Sequence, residues 1–108
     1  MTKAPVPPYY AVIFTSRRTH RGHGYPEVAE EMLRLAAEQP GYLGVESARD
    51  AEGLGITVSY WTSPEHISLW KQQADHLAAQ RAGRERWYEA YTVRICKVER
   101  VYGFEREQ

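Results

Sequence analysis

Hydrophobic and polar positions along the 108-residue chain follow two different periods. In residues 9–16, apolar and aromatic side chains occupy both alternating faces, which is typical of a strand covered on both sides. Residues 42–48 and 54–61 each alternate with a period of two, and the turn-like residues 50–53 between them predict a β-hairpin. Residues 90–102 return to strand alternation.

Two other segments have the spacing of amphipathic helices. The first begins at Pro26 and ends at the stop signal in residues 39–41. The second begins at residues 63–65, where a hydroxyl cap precedes a proline and an acid, and it continues to about Gly83 with a break allowed near Ala74. The apolar positions on one face of each helix are Val28, Met32, Leu35 and Ala36 in the first, and Ile67, Trp70, Ala74, Leu77 and Ala78 in the second.

This order, β-α-β-β-α-β, predicts an α+β ferredoxin-like fold in which two helices cover one face of a four-stranded antiparallel sheet. We expect residues 1–8, with three prolines, to form an irregular arm, residues 9–105 to form the domain, and residues 106–108 to form a tail. The strands also carry bulky apolar residues on the face away from the helices. Because a large exposed apolar face usually marks an interface, the pattern predicts a homodimer with its two sheets packed face to face.

Composition excludes several function classes. Fourteen basic and fourteen acidic residues give a formal net charge of +0, so no summed field favours nucleic acid or an anionic membrane. The single cysteine, Cys96, excludes an intrachain disulfide framework and a cysteine-rich zinc site, and its strand position predicts a buried small hydrophobe. With no apolar stretch of transmembrane length and no secretory leader pattern, we expect a cytoplasmic protein.

The second predicted helix contains two candidate functional side chains. A neutral imidazole at His76 is suited to coordinate iron or to transfer a proton near neutral pH, although histidines on helix surfaces are common. The indole of Trp70 is suited to stack on a planar ligand, but its place in the apolar stripe is equally compatible with core packing. The aromatic residues Trp61, Trp87, Tyr88 and Tyr91 present the same two alternatives, with structural roles favoured.

The loop after the first strand is basic. Arg17 and Arg18, with the histidines and arginine that follow, are suited to hold the carboxylates of a substrate, while a solvated loop is the simpler interpretation. His20-x-x-His23 has no cysteine or carboxylate nearby to complete a zinc site. The chain also lacks the G-x-S-x-G, Walker and dinucleotide glycine patterns, which excludes the hydrolase, kinase and Rossmann classes that use them.

Nearly the whole chain, and residues 60–104 above all, resembles the antibiotic-biosynthesis monooxygenase superfamily, whose members are dimeric α+β barrels. The residues that carry the resemblance are Pro40-Gly41-Tyr42, Trp61, Trp70, His76, Gly83 and Trp87-Tyr88-x-x-Tyr91. The resemblance implies O2-dependent oxidation of a flat hydrophobic substrate, and it includes a branch that opens haem. That branch has a first-strand asparagine, but this chain has no asparagine and places Thr15 or Ser16 there; its usual ligand-histidine position falls at Gln80.

Three functions follow from the resemblance. In the haem form, His76 is the axial ligand, Trp70 shapes the macrocycle, and Arg17 or Arg18 holds the propionates. In the quinol or anthrone form no cofactor is present, and His76 helps to remove a substrate proton before O2 reacts. The third alternative is a non-catalytic small-molecule binder or dimerisation module, since fold alone does not determine function.

Overall fold

The computed structural model describes residues 4–18, 25–80 and 88–107, which form four strands and two helices. In chain order they are β1 (Tyr9–Arg18), α1 (Tyr25–Ala37), β2 (Tyr42–Arg49), β3 (Leu54–Trp61), α2 (Pro64–Gln80) and β4 (Tyr88–Val98). The strands form one antiparallel sheet in the order β2-β3-β1-β4. The predicted ferredoxin-like βαββαβ fold is confirmed.

The strand register divides the sheet into two faces. Residues opposite one another on neighbouring antiparallel strands share a face, and successive residues of one strand point to opposite faces. Tyr10, Val12, Phe14 and Ser16 of β1 therefore lie on one face, the helix side, because Tyr10 and Val12 pack against the core under the helices. The face that carries Ile13 is the open face.

Local signals in the sequence explain where the helices begin and end. The Ser63 hydroxyl accepts a hydrogen bond from the His66 amide at 3.3 Å, and Pro64 occupies the first helical position of α2, as predicted. α2 runs without interruption through Ala74, so the allowed break is absent. After α1 the chain turns at Gly41, whose φ of 84° favours glycine.

The core lies at one end of the helix side. Trp61 is 0% exposed and packs with Ala36 of α1 and Ile67 of α2. Its ring lies edge-on to Tyr42, with centroids 5.6 Å apart, and its indole N–H donates to the Ser59 hydroxyl at 2.9 Å. Satisfying that N–H allows a complete indole to be buried without an unpaired donor.

The open face carries no helix, and apolar groups on it are exposed in the single chain. Leu54 is 41% exposed and Ile56 46% exposed. The prediction that Cys96 is buried is wrong for the single chain: Cys96 lies opposite Ala11 on this face and is exposed, because no second layer covers it. β4 also ends at Val98, before the predicted limit at residue 102, and residues 99–107 continue without regular structure.

One polar pair on the open face predicts a pH effect. The Tyr60 hydroxyl donates to Glu46 Oε1 at 2.7 Å, and this hydrogen bond, with partial burial and the nearby carboxylate charge, raises the pKa of Tyr60 to about 12. The folded chain therefore holds this proton more tightly than the unfolded chain. The stabilisation is complete below about pH 10 and is lost as pH rises from about 10 toward 12.

We expect Glu46→Gln to move the pKa of Tyr60 back toward its ordinary range, because the carboxylate charge is removed. Tyrosinate absorbance measures this when the titration of each protein is subtracted from that of the same protein carrying Tyr60→Phe. A Tyr60 that ionises at the same pH with and without Glu46→Gln contradicts the prediction.

Candidate active site

The side chains on the helix side of the sheet differ in size from one end of the strands to the other. At the core end, the cross-strand row contains Tyr42, Trp61 and Tyr10, which fill the space beneath the helices. Further along β3 the same face carries only the small polar residues Ser59 and Thr57 and then a glycine. These short side chains take up less of the layer between sheet and helices than the indole at the core end does.

Three aromatic rings lie together at that end of the helix side. Phe14 stacks on Tyr91 with centroids 5.4 Å apart and an interplanar angle of 29°, and it meets Tyr88 edge-on at 5.5 Å. Tyr88 and Tyr91 are in turn 5.8 Å apart. We call Phe14, Tyr88 and Tyr91 the aromatic platform.

A bulge in β4 makes the platform possible. Arg17 pairs with Ala90 but Arg18 pairs with Tyr88, so one extra residue of β4 sits between these pairs. Simple alternation would send positions 88 and 91 to opposite faces, and the extra residue cancels that difference. The helices lie mainly over β2 and β3, so the β4 side chains beyond the platform stay accessible: Val93 is 44% exposed and Ile95 55% exposed.

The guanidinium of Arg49 reaches toward the aromatic platform from β2, the edge strand on the other side of the sheet. Arg49 lies opposite Gly55, Gly55 opposite Ser16, and Ser16 opposite Tyr91. Arg49 Nη1 donates to the Gly53 carbonyl at 2.7 Å, and Nη2 donates to the Ser16 hydroxyl at 3.3 Å. The side chain of Arg49 therefore crosses β3 and brings its guanidinium to Ser16, the cross-strand neighbour of Tyr91.

Glycine at position 55 is what permits this crossing. A Cβ built on Gly55 would meet Arg49 Cζ at 2.5 Å, closer than real Cβ contacts. Ser16, which receives the far end of the guanidinium, is only 2% exposed. The buried hydroxyl is therefore hydrogen-bonded, as buried polar groups require, and the guanidinium is held in one place.

The predicted pair Trp70 and His76 is not brought together. Trp70 is half-buried and stacks on Trp61, with centroids 6.1 Å apart and an interplanar angle of 22°. His76 is exposed, and six positions along an α-helix place it about 120° around the axis from Trp70. Trp70 therefore belongs to the core edge and His76 to the solvent side of α2.

Arg17 and Arg18 leave the sheet on opposite faces. Arg17 pairs with Leu54 on the open face and is exposed, whereas Arg18 is half-buried and its amide donates to the Gly53 carbonyl at 3.0 Å. They cannot jointly clamp one ligand. The remaining basic residues of this loop, His20, Arg21 and His23, and the predicted aromatic Trp87, lie outside the described residues.

These placements do not fit a haem site built from the predicted residues, since the imidazole, the indole and the two guanidinium groups do not surround one volume. Within residues 4–18, 25–80 and 88–107, no three His, Cys, Asp or Glu side chains are grouped to hold a metal ion. In the same part of the chain, no helix is both long and apolar enough to cross a membrane.

Sequence reasoning did not assign a role to Phe14, Ser16 or Arg49. One signal for them was present, because Gly55 lies within a predicted strand, and a glycine inside a strand often marks the close approach of another group. Which group approaches depends on strand register. Alternation alone does not supply that information.

Comparison with known proteins adds a family and a fold. The model of the family described as antibiotic biosynthesis monooxygenase matches residues 8–82. The uncharacterized protein YqjZ of Bacillus subtilis (strain 168) is 55% identical over 100 residues, covering 93% of this chain and 88% of that protein.

Solved structures agree on the architecture. SnoaB, a cofactor-independent oxygenase from Streptomyces nogalater, superposes with a TM-score of 0.72 at 12% identity, covering 88% of this chain and 97% of that one. PA3566 from Pseudomonas aeruginosa superposes with a TM-score of 0.66 at 14% identity, covering 92% of this chain and 100% of that one. At such low identity, these likenesses establish the fold.

Proposed function

Because the chain belongs to the antibiotic biosynthesis monooxygenase family, we propose that it oxidises a flat aromatic molecule with O2 on the aromatic platform and without a bound cofactor. The observation that carries this proposal is the platform itself. Phe14, Tyr88 and Tyr91 offer ring surfaces at the end of the helix side where β3 carries small residues, and flat apolar molecules bind by stacking on such surfaces.

Two observations support a reaction without a bound cofactor. SnoaB, which shares the fold, is a cofactor-independent oxygenase. Of the residues predicted to hold haem, Trp70 lies at the core edge, His76 faces solvent, and Arg17 lies on the open face, opposite to Arg18. Direct reaction with O2 requires a substrate that supplies its own electrons, and an anthrone or quinol does so once it has lost a proton.

The proposed reaction balances for an anthrone. A proton leaves the ring CH2 group, the resulting carbanion gives electrons to O2, and a carbon–oxygen bond forms. The resulting peroxide anion takes back a proton, and the hydroperoxide then loses water, formed from its OH group and the remaining ring hydrogen, to leave the ketone: CH2 and O2 become C=O and H2O. The protein's contribution is to hold the flat ring system and stabilise its anionic form. Removal of the proton by His76 stays a prediction.

The test is oxygen uptake by the purified protein with an anthrone such as dithranol in the presence of a metal chelator. We expect one O2 consumed per anthraquinone formed. Phe14→Leu should raise KM about tenfold, because it removes the ring that contacts both tyrosines of the platform. The control is Leu69→Ala, which removes an exposed apolar side chain from α2 and leaves both the platform and the open face intact.

Other outcomes of this experiment identify the alternatives. Binding of the aromatic molecule without oxygen uptake above the protein-free rate favours the non-catalytic binder. Hemin added to the same protein separates the haem form: a saturable Soret shift that His76→Ala abolishes, followed by loss of the band with ascorbate and air, overturns the cofactor-free reaction. An unchanged Soret band removes haem as a ligand.

We also propose that the working form is a homodimer in which a second copy covers the open face. The single chain leaves Ile56 and Leu54 exposed there, and only six hydrophobic residues among the described ones are buried. The segment after β4 adds Tyr102, which is 87% exposed, and Phe104, which is 88% exposed. Burying this apolar surface against an identical copy would supply the stability that a thin core lacks.

A further inference from the structure

We propose that Arg49 is the specificity-determining residue of the site and that it selects substrates whose flat ring system carries an anionic oxygen group, a phenolate or a carboxylate. This inference rests on the proposed function, since it names the substrate class of the same platform. It assigns the ring system to the platform and its anionic edge to the guanidinium.

The position of the guanidinium supports this assignment. It starts from β2, the edge strand, crosses Gly55 and reaches Ser16 on β1, which is the cross-strand neighbour of Tyr91. A molecule stacked on Tyr91 therefore has Arg49 at its edge in the same row of the sheet. Among the side chains that the described register places in this row, Arg49 is the cationic one.

The guanidinium is held before any ligand binds. Its two terminal nitrogens donate to the Gly53 carbonyl and to the Ser16 hydroxyl, at 2.7 and 3.3 Å. Gly53 has a φ of 97° and its carbonyl also accepts the Arg18 amide, so this anchor is part of the β2–β3 turn packed on β1. An arginine held in this way loses less conformational freedom on binding an anion than a mobile side chain does.

The surroundings suit an amphipathic aromatic anion. Arg49 is exposed, so the charged edge of a ligand keeps part of its hydration, while the rings contact the platform. Complete burial of the ion pair would carry a large desolvation cost, which this arrangement avoids. A cation here also favours the ionised form of a phenol, and an ionised phenol is more easily oxidised by O2 than the neutral form.

The test uses binding, which needs no turnover. Isothermal titration compares anthraquinone carboxylate with its neutral methyl ester, which has the same rings. We expect the unmodified protein to bind the carboxylate about tenfold or more tightly than the ester, the size of effect typical of a charge-assisted hydrogen bond. Arg49→Met should make the two affinities equal by weakening the carboxylate alone, and Arg49→Lys should keep part of the preference.

Two further variants separate ligand recognition from general effects. Arg94→Met removes the same charge from the open face, since Arg94 pairs with Ile13, and it should leave the preference unchanged. Gly55→Val keeps Arg49 but places a side chain where the guanidinium crosses, so it should reduce the preference while circular dichroism shows an intact fold.

The outcomes that overturn the inference are distinct from those that overturn the proposed function. Equal binding of carboxylate and ester by the unmodified protein overturns the role of Arg49 and leaves oxygen uptake with an anthrone untouched. A preference that survives Arg49→Met, or that Arg94→Met abolishes, also overturns it. Absence of binding by both molecules overturns the platform as an aromatic site and this inference with it.

Discussion

Replacing Trp61 with alanine is expected to lower the free energy of unfolding by about 3–5 kcal/mol, as large-to-small changes at buried aromatic positions do. Trp61 is 0% exposed and contacts both helices as well as Tyr42 and Trp70. Its removal leaves a cavity where sheet and helices meet, and it leaves the Ser59 hydroxyl without its indole partner. The total free energy of unfolding of a small domain is roughly 5–15 kcal/mol, so the variant is expected to be marginally folded.

Urea denaturation followed by circular dichroism measures this loss. Trp70→Ala is the matched control, because Trp70 is half-buried and stacks on only one side of the same indole. Trp70→Ala should lower the free energy of unfolding clearly less than Trp61→Ala does. If Trp61→Ala does not fold, Trp61→Phe keeps part of the packing and should still lower the denaturation midpoint. Equal losses for Trp61→Ala and Trp70→Ala would contradict the assignment of Trp61 as the centre of the core.

Ile56→Glu is expected to convert the proposed dimer into a monomer. Ile56 lies on the open face and is 46% exposed in the single chain, so a carboxylate there costs the isolated fold little. Between two packed sheets, each copy would bury one such carboxylate without a partner of opposite charge. This would cost several kcal/mol of dimer stability. Light scattering should give twice 12.5 kDa for the unmodified protein and 12.5 kDa for the variant.

The matched control lies on the other layer. Leu69 on α2 is 53% exposed, and Leu69→Glu makes the same kind of change on the helix surface without touching the open face. It should leave the mass unchanged. A particle of 12.5 kDa for the unmodified protein at micromolar concentration contradicts the dimer directly. Dissociation by Leu69→Glu and not by Ile56→Glu would place the interface on the helices.

The order and type of the elements were predictable because each depends on local spacing. Alternation in residues 54–61 and the proline, cap and acid at residues 63–65 act over a few positions, and both predictions are confirmed. The end of β4 was not predictable in the same way. Residues 99–102 were included in the predicted strand, but β1 begins at Tyr9, which pairs with Val98, so no residue of β1 remains to pair with them.

Which candidate side chains lie side by side was less predictable from the sequence, for a physical reason. Trp70 and His76 share a helix in the sequence, but about 120° of rotation separates two positions six residues apart. Tyr88 and Tyr91 reach one face only through a bulge, and a bulge is a property of how two strands pair. The family resemblance correctly identified the family, and His76 and Trp70, its candidates on α2, stay predictions.

By itself, the sequence determined the βαββαβ order, the helix starts and the assignment of apolar residues to element faces, because these depend on periodicity and capping within short segments. The tertiary structure alone decided that Arg49 crosses Gly55 to reach Ser16, that Phe14 joins Tyr88 and Tyr91, and that Trp61 is the centre of the core. These groups lie far apart along the chain. Strand register and helix placement bring them together, and neither is a property of a local segment.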